Sequence, residues 1–186
     1  MAPKALKVSN IVSTFEADCK LNLRDIATRA RNTEYNPNRF PAVVMRIRKP
    51  SSTALMFATG KINVVGVNNE ADCILARRRF ARILCKLGYS ASVKNPKIQN
   101  IVASFDFCCD ISLEKMQVLH PLFCTYEPEL FPGLNYKIIK KGSQSNIVVL
   151  VFKSGKVVIT GSKNMQDTFE AHLNICSVLA HCTKKL

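Results

Sequence analysis

The chain has 186 residues, 47% of them apolar, and a formal charge of +14 from 27 Lys and Arg against 13 Asp and Glu. That is enough apolar material for one sizeable domain or two small ones, and it excludes a disordered tail. No apolar run approaches the roughly 18 residues of a membrane span, and the opening MAPKALKVSN lacks the apolar stretch of a signal peptide. The expectation is a soluble, intracellular protein whose basic surface attracts a polyanion such as nucleic acid, an anionic membrane or an acidic protein.

Taken in order, KVSNIVSTF (Lys7 to Phe15) reads as a strand, and LNLRDIATRARN as a short helix with Leu21, Ile26 and Ala30 near one stripe. A loop, YNPNRFP, sets Phe40 between Pro37 and Pro41. AVVMRIR, TALMFATG and KINVVG are β-branched runs broken by Gly or Pro, the pattern of antiparallel hairpin strands. From Glu70 to Leu87, Ile74, Phe80, Ala81, Leu84 and Leu87 recur at helical spacing, and Gly88 stops the helix. The same succession then returns as KIQNIVASF (Lys97 to Phe105), LEKMQVLHPLF, YEPELFP, LNYKIIK, IVVLVFKSG and KVVITG, closing with a helix from about Met165 to His181.

The chain is therefore two copies of one unit, 1–92 and 93–186. Asn10 recurs as Asn100 at an offset of 90, Phe40 as Phe131 at 91, and Gly66 as Gly161 at 95. Phe40 to Phe57 spans 17 positions and Phe131 to Phe152 spans 21, which places a four-residue insertion near Gly142, in the polar KKGSQSN. The predicted fold is α+β: two repeats related by a pseudo-twofold axis, joined in one antiparallel sheet with helices on one face.

Strand alternation puts Ala54 and Met56 on one face and Thr53, Leu55 and Phe57 on the other, and likewise Val149 and Val151 against Val148, Leu150 and Phe152. Both faces are apolar, whereas a sheet covered on one side usually shows a polar opposite face. A second face with Leu55, Phe57, Val65, Val102, Leu150, Phe152 and Val158, rimmed by Arg46, Lys61, Lys137 and Lys156, suits an opened minor groove of DNA. The eight cysteines, with Cys108 beside Cys109, read as reduced thiols. His172, Cys176, His181 and Cys182 form a weak zinc alternative without any CxxC pair, so no metal or cofactor is expected. No phosphate loop, carboxylate pair or Ser/His arrangement stands out, which argues against an enzyme.

The phrases ARNTEYNPNRFPAVVMRIRKP, TALMFATGK, KIQNIV and YEPELFPGLNYKI carry a resemblance that covers nearly the whole chain from about Leu6. The sequence resembles the TATA-box-binding protein family. The resemblance implies a saddle: a curved ten-stranded antiparallel sheet astride DNA with four helices on the convex face. It also implies a general initiation factor in the nucleus that bends TATA-box DNA through the minor groove and nucleates preinitiation complex assembly. This family is itself a standard example of minor-groove wedges. Phe40 with Phe57, and Phe131 with Phe152, match its intercalating pairs. Asn10, Val12, Leu55, Asn63, Val65, Asn100, Val102, Val148, Leu150, Val158 and Thr160 match its minor-groove lining, and Arg39, Arg46, Lys61, Lys137 and Lys156 are the implied phosphate contacts.

Asn63 and Val65 depart from the family pattern, which usually has an apolar residue and a threonine there. Glu127 and Glu129 place acid beside a wedge that must approach phosphate, and the resemblance assigns them, with Leu130, to a TFIIB-like partner. Arg78, Arg79 and Lys86 are assigned to a TFIIA-like factor and competing negative regulators. TBP-associated factors are further implied partners, and an exposed apolar face invites a homodimer of the free protein. The alternative is a related factor with altered or lost TATA specificity that works mainly as a recruiting platform.

Overall fold

The structure, a computed structural model, describes residues 3–139 and 146–183. Lys140–Ser145, with most of the insertion, lie outside them. Among the described residues there are ten strands and four helices, with every strand pairing given a register antiparallel, in agreement with the predicted α+β class. The elements are β1 (Lys7–Glu16), α1 (Leu23–Arg29), β2 (Thr33–Glu34), β3 (Ala42–Arg48), β4 (Ser51–Phe57), β5 (Lys61–Val67) and α2 (Glu70–Lys86). These are followed by β6 (Lys94–Asp106), α3 (Leu113–Leu119), β7 (Cys124–Thr125), β8 (Gly133–Ile138), β9 (Ile147–Phe152), β10 (Lys156–Ser162) and α4 (Met165–His181).

The chain forms two compact units, Asn10–Gln99 and Met1–Ser9 with Asn100–Leu186. Their limits do not coincide with those of the repeats. Each unit takes in the opening residues of the other copy's first strand: Gln99 of β6 donates from Nε2 to Thr14 Oγ1 at 2.9 Å in one, and Ser9 of β1 donates to the Val102 carbonyl at 3.0 Å in the other.

In the unit Asn10–Gln99 the strand order is β2-β3-β4-β5-β1. Ile11, Phe15, Ala54, Met56, Ile62 and Val64 turn one sheet face inward and are almost fully buried, as are Ile26 of α1 and Phe80 and Leu84 of α2. Cys73 of α2 bonds Ser13 of β1 at 3.0 Å within this layer. The unit with Asn100–Leu186 has the order β6-β10-β9-β8-β7, and its core gathers Val149, Val151, Val157 and Ile159 with Leu113 and Met116 of α3 and Ile175 and Leu179 of α4.

All four helices start on a side-chain cap. Asn22, Asn69, Ser112 and Asn164 each accept from the N–H three residues on, an arrangement typically worth about 1 kcal/mol. Helix α2 ends as the sequence suggests: the Tyr89 N–H reaches the Leu84 carbonyl and the Gly88 N–H the Cys85 carbonyl, with Gly88 at φ 95°. Four readings are corrected. Leu21 is buried but precedes α1, because Asn22 is the cap. Ala30 is the extended C-cap. Ile74 lies on the outer side of α2 at 44% exposure, and Cys73, Ala76 and Arg77 take the inner face. The LEKMQVLHPLF helix stops at Leu119, since Pro121 disfavours helical backbone in the residue before it.

All eight cysteines are free, and burial pushes the Cys124 thiol up to about 11 and raises Cys19, Cys176 and Cys182 as well. These four raised thiols stay protonated at neutral pH and are poor nucleophiles. His172 sits edge-on to Phe105 at 4.5 Å, and burial lowers its pKa, so it behaves as a neutral core aromatic. Among the described residues no group of three or more His, Cys, Asp or Glu is arranged to hold a metal ion.

The β9–β10 turn is held by Gly155 at φ 81°, where a Cβ would stand 2.4 Å from the Cys109 carbonyl oxygen. Gly155→Ala should cost about 1–3 kcal/mol for the left-handed backbone alone, with the clash adding to it. Gly88→Ala, at φ 95° but with nothing within 4 Å of the new methyl group, should cost only that backbone strain and therefore less than Gly155→Ala. Urea midpoints of the two variants check this ordering, and equal midpoints would contradict it.

Candidate nucleic-acid interface

Strand registers in each unit line up a face on the side away from the buried one. In the unit Asn10–Gln99, Val44, Leu55, Asn63 and Thr14 are successive cross-strand neighbours. In the other unit, Asn135, Leu150, Val158 and Ser104 occupy the same row. A second row runs Arg46, Thr53, Val65 in the first and Lys137, Val148, Thr160 in the second. Val12, Leu55, Phe57, Asn63 and Val65 are half-buried, and so are Val102, Val148, Leu150, Phe152, Val158 and Thr160, so the predicted lining residues of each unit share that unit's second face. Thr53 shares it as alternation predicts, and Val44, Ser104 and Asn135 belong to it too and were missed, although alternation along AVVMRIR, KIQNIVASF and LNYKIIK points to them.

Asn10 and Asn100 are oriented by the same device. The β1–β5 register shifts between Ile11 and Ser13, and the β10–β6 register between Ile159 and Ser162. These bulges leave the Gly66 and Gly161 N–H groups to donate to Asn10 Oδ1 at 2.8 Å and Asn100 Oδ1 at 2.7 Å. That bond fixes the orientation of each amide, and its N–H groups remain donors that can be offered to an outside partner. Asn100 also shares a 3.1 Å bond from Nδ2 to Thr160 Oγ1.

The phenylalanines stand in matching pairs. Phe40 and Phe57 have ring centroids 6.2 Å apart at 64°, and Phe131 and Phe152 are 5.9 Å apart at 63°. Phe40 and Phe131 are each 40% exposed. Their loops are fixed from inside: the Arg39 and Phe40 N–H groups share the Asn36 carbonyl, and those of Leu130 and Phe131 share that of Glu127. Edge-to-face packing contributes about 0.5–1.5 kcal/mol, so each exposed ring is braced by its partner on the sheet.

Arg39, Arg46, Lys61, Lys137 and Lys156 are all exposed around these faces. Among the described residues, Arg46 alone of these five has an ion pair, at 3.4 Å from Glu34, and it is an exposed one of little strength. Glu127, Glu129 and Leu130 project from the Phe131 loop, with Leu130 81% exposed.

On α2, Arg78 and Lys86 are exposed, while Arg79 donates to the Lys49 carbonyl. Arg48 and Lys49 join Arg79, Arg82 and Lys86 around a cavity of about 550 Å³ floored by Ile47 and Ile83. The basic run RIRK was the signal for the first two. The matching positions of α4 hold Leu173, Asn174, Ser177 and His181.

The model of the family described as "Transcription factor TFIID (or TATA-binding protein, TBP)" matches residues 5–87 and 95–182. The chain belongs to the TATA-binding protein family. It is 50% identical over 177 residues to the TATA-box-binding protein of Acanthamoeba castellanii, covering 95% of this chain and 67% of that one. It is 49% identical over 179 residues to that of Bombyx mori, covering 96% of this chain and 57% of the relative. The chain thus spans little more than half the length of the second relative. The structure of Methanococcus jannaschii TBP superposes with a TM-score of 0.80 at 33% identity, covering 96% of this chain and 99% of that one. TATA-binding proteins are DNA-binding transcription factors and not enzymes, in line with the absence of catalytic motifs from the sequence.

On this face Asn63 stands out, because its Oδ1 is buried without a hydrogen-bond partner. An unsatisfied buried acceptor costs about 1–3 kcal/mol. Asn63→Val should therefore raise the stability of the free protein by about 1 kcal/mol and sharpen the preference for A·T over G·C in one half of a DNA site. Thermal melts beside competition with half-site-substituted duplexes check both, and unchanged melting and unchanged preference would contradict the reading.

Proposed function

We propose that the chain is a general transcription initiation factor that binds TATA-box DNA through the minor groove, bends it sharply and nucleates a preinitiation complex in the nucleus. The observation that carries this reading is the duplicated wedge: an exposed phenylalanine braced by a second one at the edge of a half-buried apolar sheet face, once in each unit. Phe40 with Phe57, and Phe131 with Phe152, enter base steps. Each step costs a few kcal/mol of unstacking, offset by apolar contact of Val12, Leu55, Val65, Val102, Val148, Leu150, Val158 and Thr160 with the opened groove.

Base preference follows from chemistry. An A·T pair offers the minor groove only acceptors, and a G·C pair adds a donor. Asn10 and Asn100 bring N–H groups to that groove, so A·T pairs are favoured, whereas the unpartnered Asn63 Oδ1 works against that preference in its half. Arg39, Arg46, Lys61, Lys137 and Lys156 neutralise phosphates. Five such contacts correspond to a log–log salt slope of about −4 to −5.

Partner surfaces differ between the units. Glu127, Glu129 and Leu130 present an acidic, apolar-tipped loop to a TFIIB-like factor. Arg78, Arg79 and Lys86, widened by Arg48 and Lys49, present a basic groove to an acidic TFIIA-like factor, to negative regulators and to TBP-associated factors. In the absence of DNA, two copies cover their apolar faces against each other.

The test is energy transfer across a doubly end-labelled duplex carrying TATAAAAG, beside a G·C-substituted control, over a range of salt concentrations. Tight, salt-sensitive bending of the TATA duplex alone is expected, with bending lost and affinity reduced at least tenfold in Phe40→Ala/Phe131→Ala. Equal binding of both duplexes without bending would sink the proposal and favour the related factor that acts mainly as a recruiting platform.

A further inference from the structure

Two acids lie where a DNA-binding surface should not tolerate them. In the strand registers Asp106 is the direct cross-strand partner of Lys156, and Glu16 that of Lys61. Lys156 and Lys61 are phosphate-contact candidates, and a carboxylate beside either would neutralise it and repel phosphate.

In each unit another residue takes the acid. Lys4 lays its backbone N–H on the Asp106 carbonyl at 2.8 Å and its ammonium on the Asp106 carboxylate at 3.3 Å. The Cys108 N–H donates to the other carboxylate oxygen at 2.9 Å. These bonds, the Cys108 one first, together with the nearby positive charges of Lys4 and, more weakly, Lys156, hold the Asp106 pKa below the usual carboxylate range, so the acid is charged at neutral pH. In the other unit Asn95 donates to Glu16 at 3.0 Å, and Lys94 pairs with the nearby Asp18 at 2.5 Å.

The sequence repeats the lysine spacing: KALK, Lys4 to Lys7, and KNPK, Lys94 to Lys97, lie at an offset of 90, although Lys94 pairs with Asp18 and leaves Glu16 to Asn95. Lys4, Lys7 and Asp106 also line a cavity of about 580 Å³ together with Ser104, Phe152, Lys156 and Val158, which are wedge, lining and phosphate-contact candidates of the same unit. Among the described residues no acid pairs with Lys7 or Lys156.

We propose that the segment Lys4–Lys7 is part of the DNA-binding surface of its unit: Lys4 draws the Asp106 carboxylate away from Lys156, which leaves Lys156 and Lys7 free to meet the phosphodiester backbone beside the Phe131–Phe152 wedge. This rests on the DNA-binding reading above. Lys4 is a positioning residue that acts through Asp106, and Lys7 is a direct phosphate contact.

The test uses the TATAAAAG duplex and the full chain. Lys4→Ala should weaken binding about fivefold at low salt, the size of one added carboxylate–phosphate repulsion in a largely solvated setting. Asp106→Asn keeps an oxygen for the Cys108 N–H and removes the charge, so it should restore wild-type affinity in the Lys4→Ala background. Lys7→Ala should flatten the salt slope by about one unit.

Wild-type affinity of Lys4→Ala, or a Lys4→Ala/Asp106→Asn pair as weak as Lys4→Ala alone, overturns the masking role, and an unchanged slope for Lys7→Ala overturns the direct contact. Wild-type protein that ignores the duplex overturns the DNA-binding reading and this inference together, an outcome plainly separate from loss of the variant effects alone.

Discussion

A β-sheet whose strands are apolar on both faces needs two covers, and the helices of each unit supply only one. Burying Phe15, Met56 and Phe80 in one unit, or Val151, Ile159 and Ile175 in the other, uses the inner face. Leu55, Phe57, Leu150 and Phe152 remain half in water. Full burial of such side chains is worth about 1.5–3 kcal/mol each, and that gain is realised only when something from outside lies on the face. The formal charge of +14 selects the kind of cover: a polyanion with an apolar groove.

The devices that hold the face are repeated, and the surfaces away from it are not. Both units orient an asparagine by a bulge glycine, cap their long helices with Asn–Asp pairs and brace one phenylalanine against another. A backbone built twice in this way gives two equivalent faces for a roughly twofold duplex. Helix α2 then carries Arg78, Arg82 and Lys86 where α4 has Leu173, Ser177 and His181, and the wedge loops carry Asn36 and Asn38 in one copy but Glu127 and Glu129 in the other. These surfaces lie away from the shared face, so the symmetry of that face does not hold them alike.

Much of this was legible in the sequence because it is periodic. Alternation fixed the faces of β4 and β9, the 90-residue offset tied Asn10 to Asn100, and Gly88 marked a helix end that the hydrogen bonds bear out. Features set by contacts remote in sequence were not legible. The start of α1 depends on which polar residue caps it, Ile74 faces outward because Cys73 fits beneath it against Ser13, and Asn135 joins Leu150 only through strand register. Asn63 also changes meaning in the structure. Each unit carries one asparagine in the same row, at Asn63 or at Asn135, so the departure lies in the column it occupies and in the unpartnered Oδ1.

The central claim is that these faces read the minor groove, and inosine isolates that groove from the rest of the duplex. An I·C pair lacks the guanine amino group and so presents the acceptor-only minor-groove pattern of A·T, while its major groove is that of G·C. The decisive measurement is the affinity of the protein for a TATA duplex in which every A·T pair is replaced by I·C, beside the G·C version. Binding to the I·C duplex within a few-fold of the natural site, with the G·C duplex at least a hundredfold weaker, is the predicted result. An I·C duplex bound as poorly as the G·C one would contradict the account.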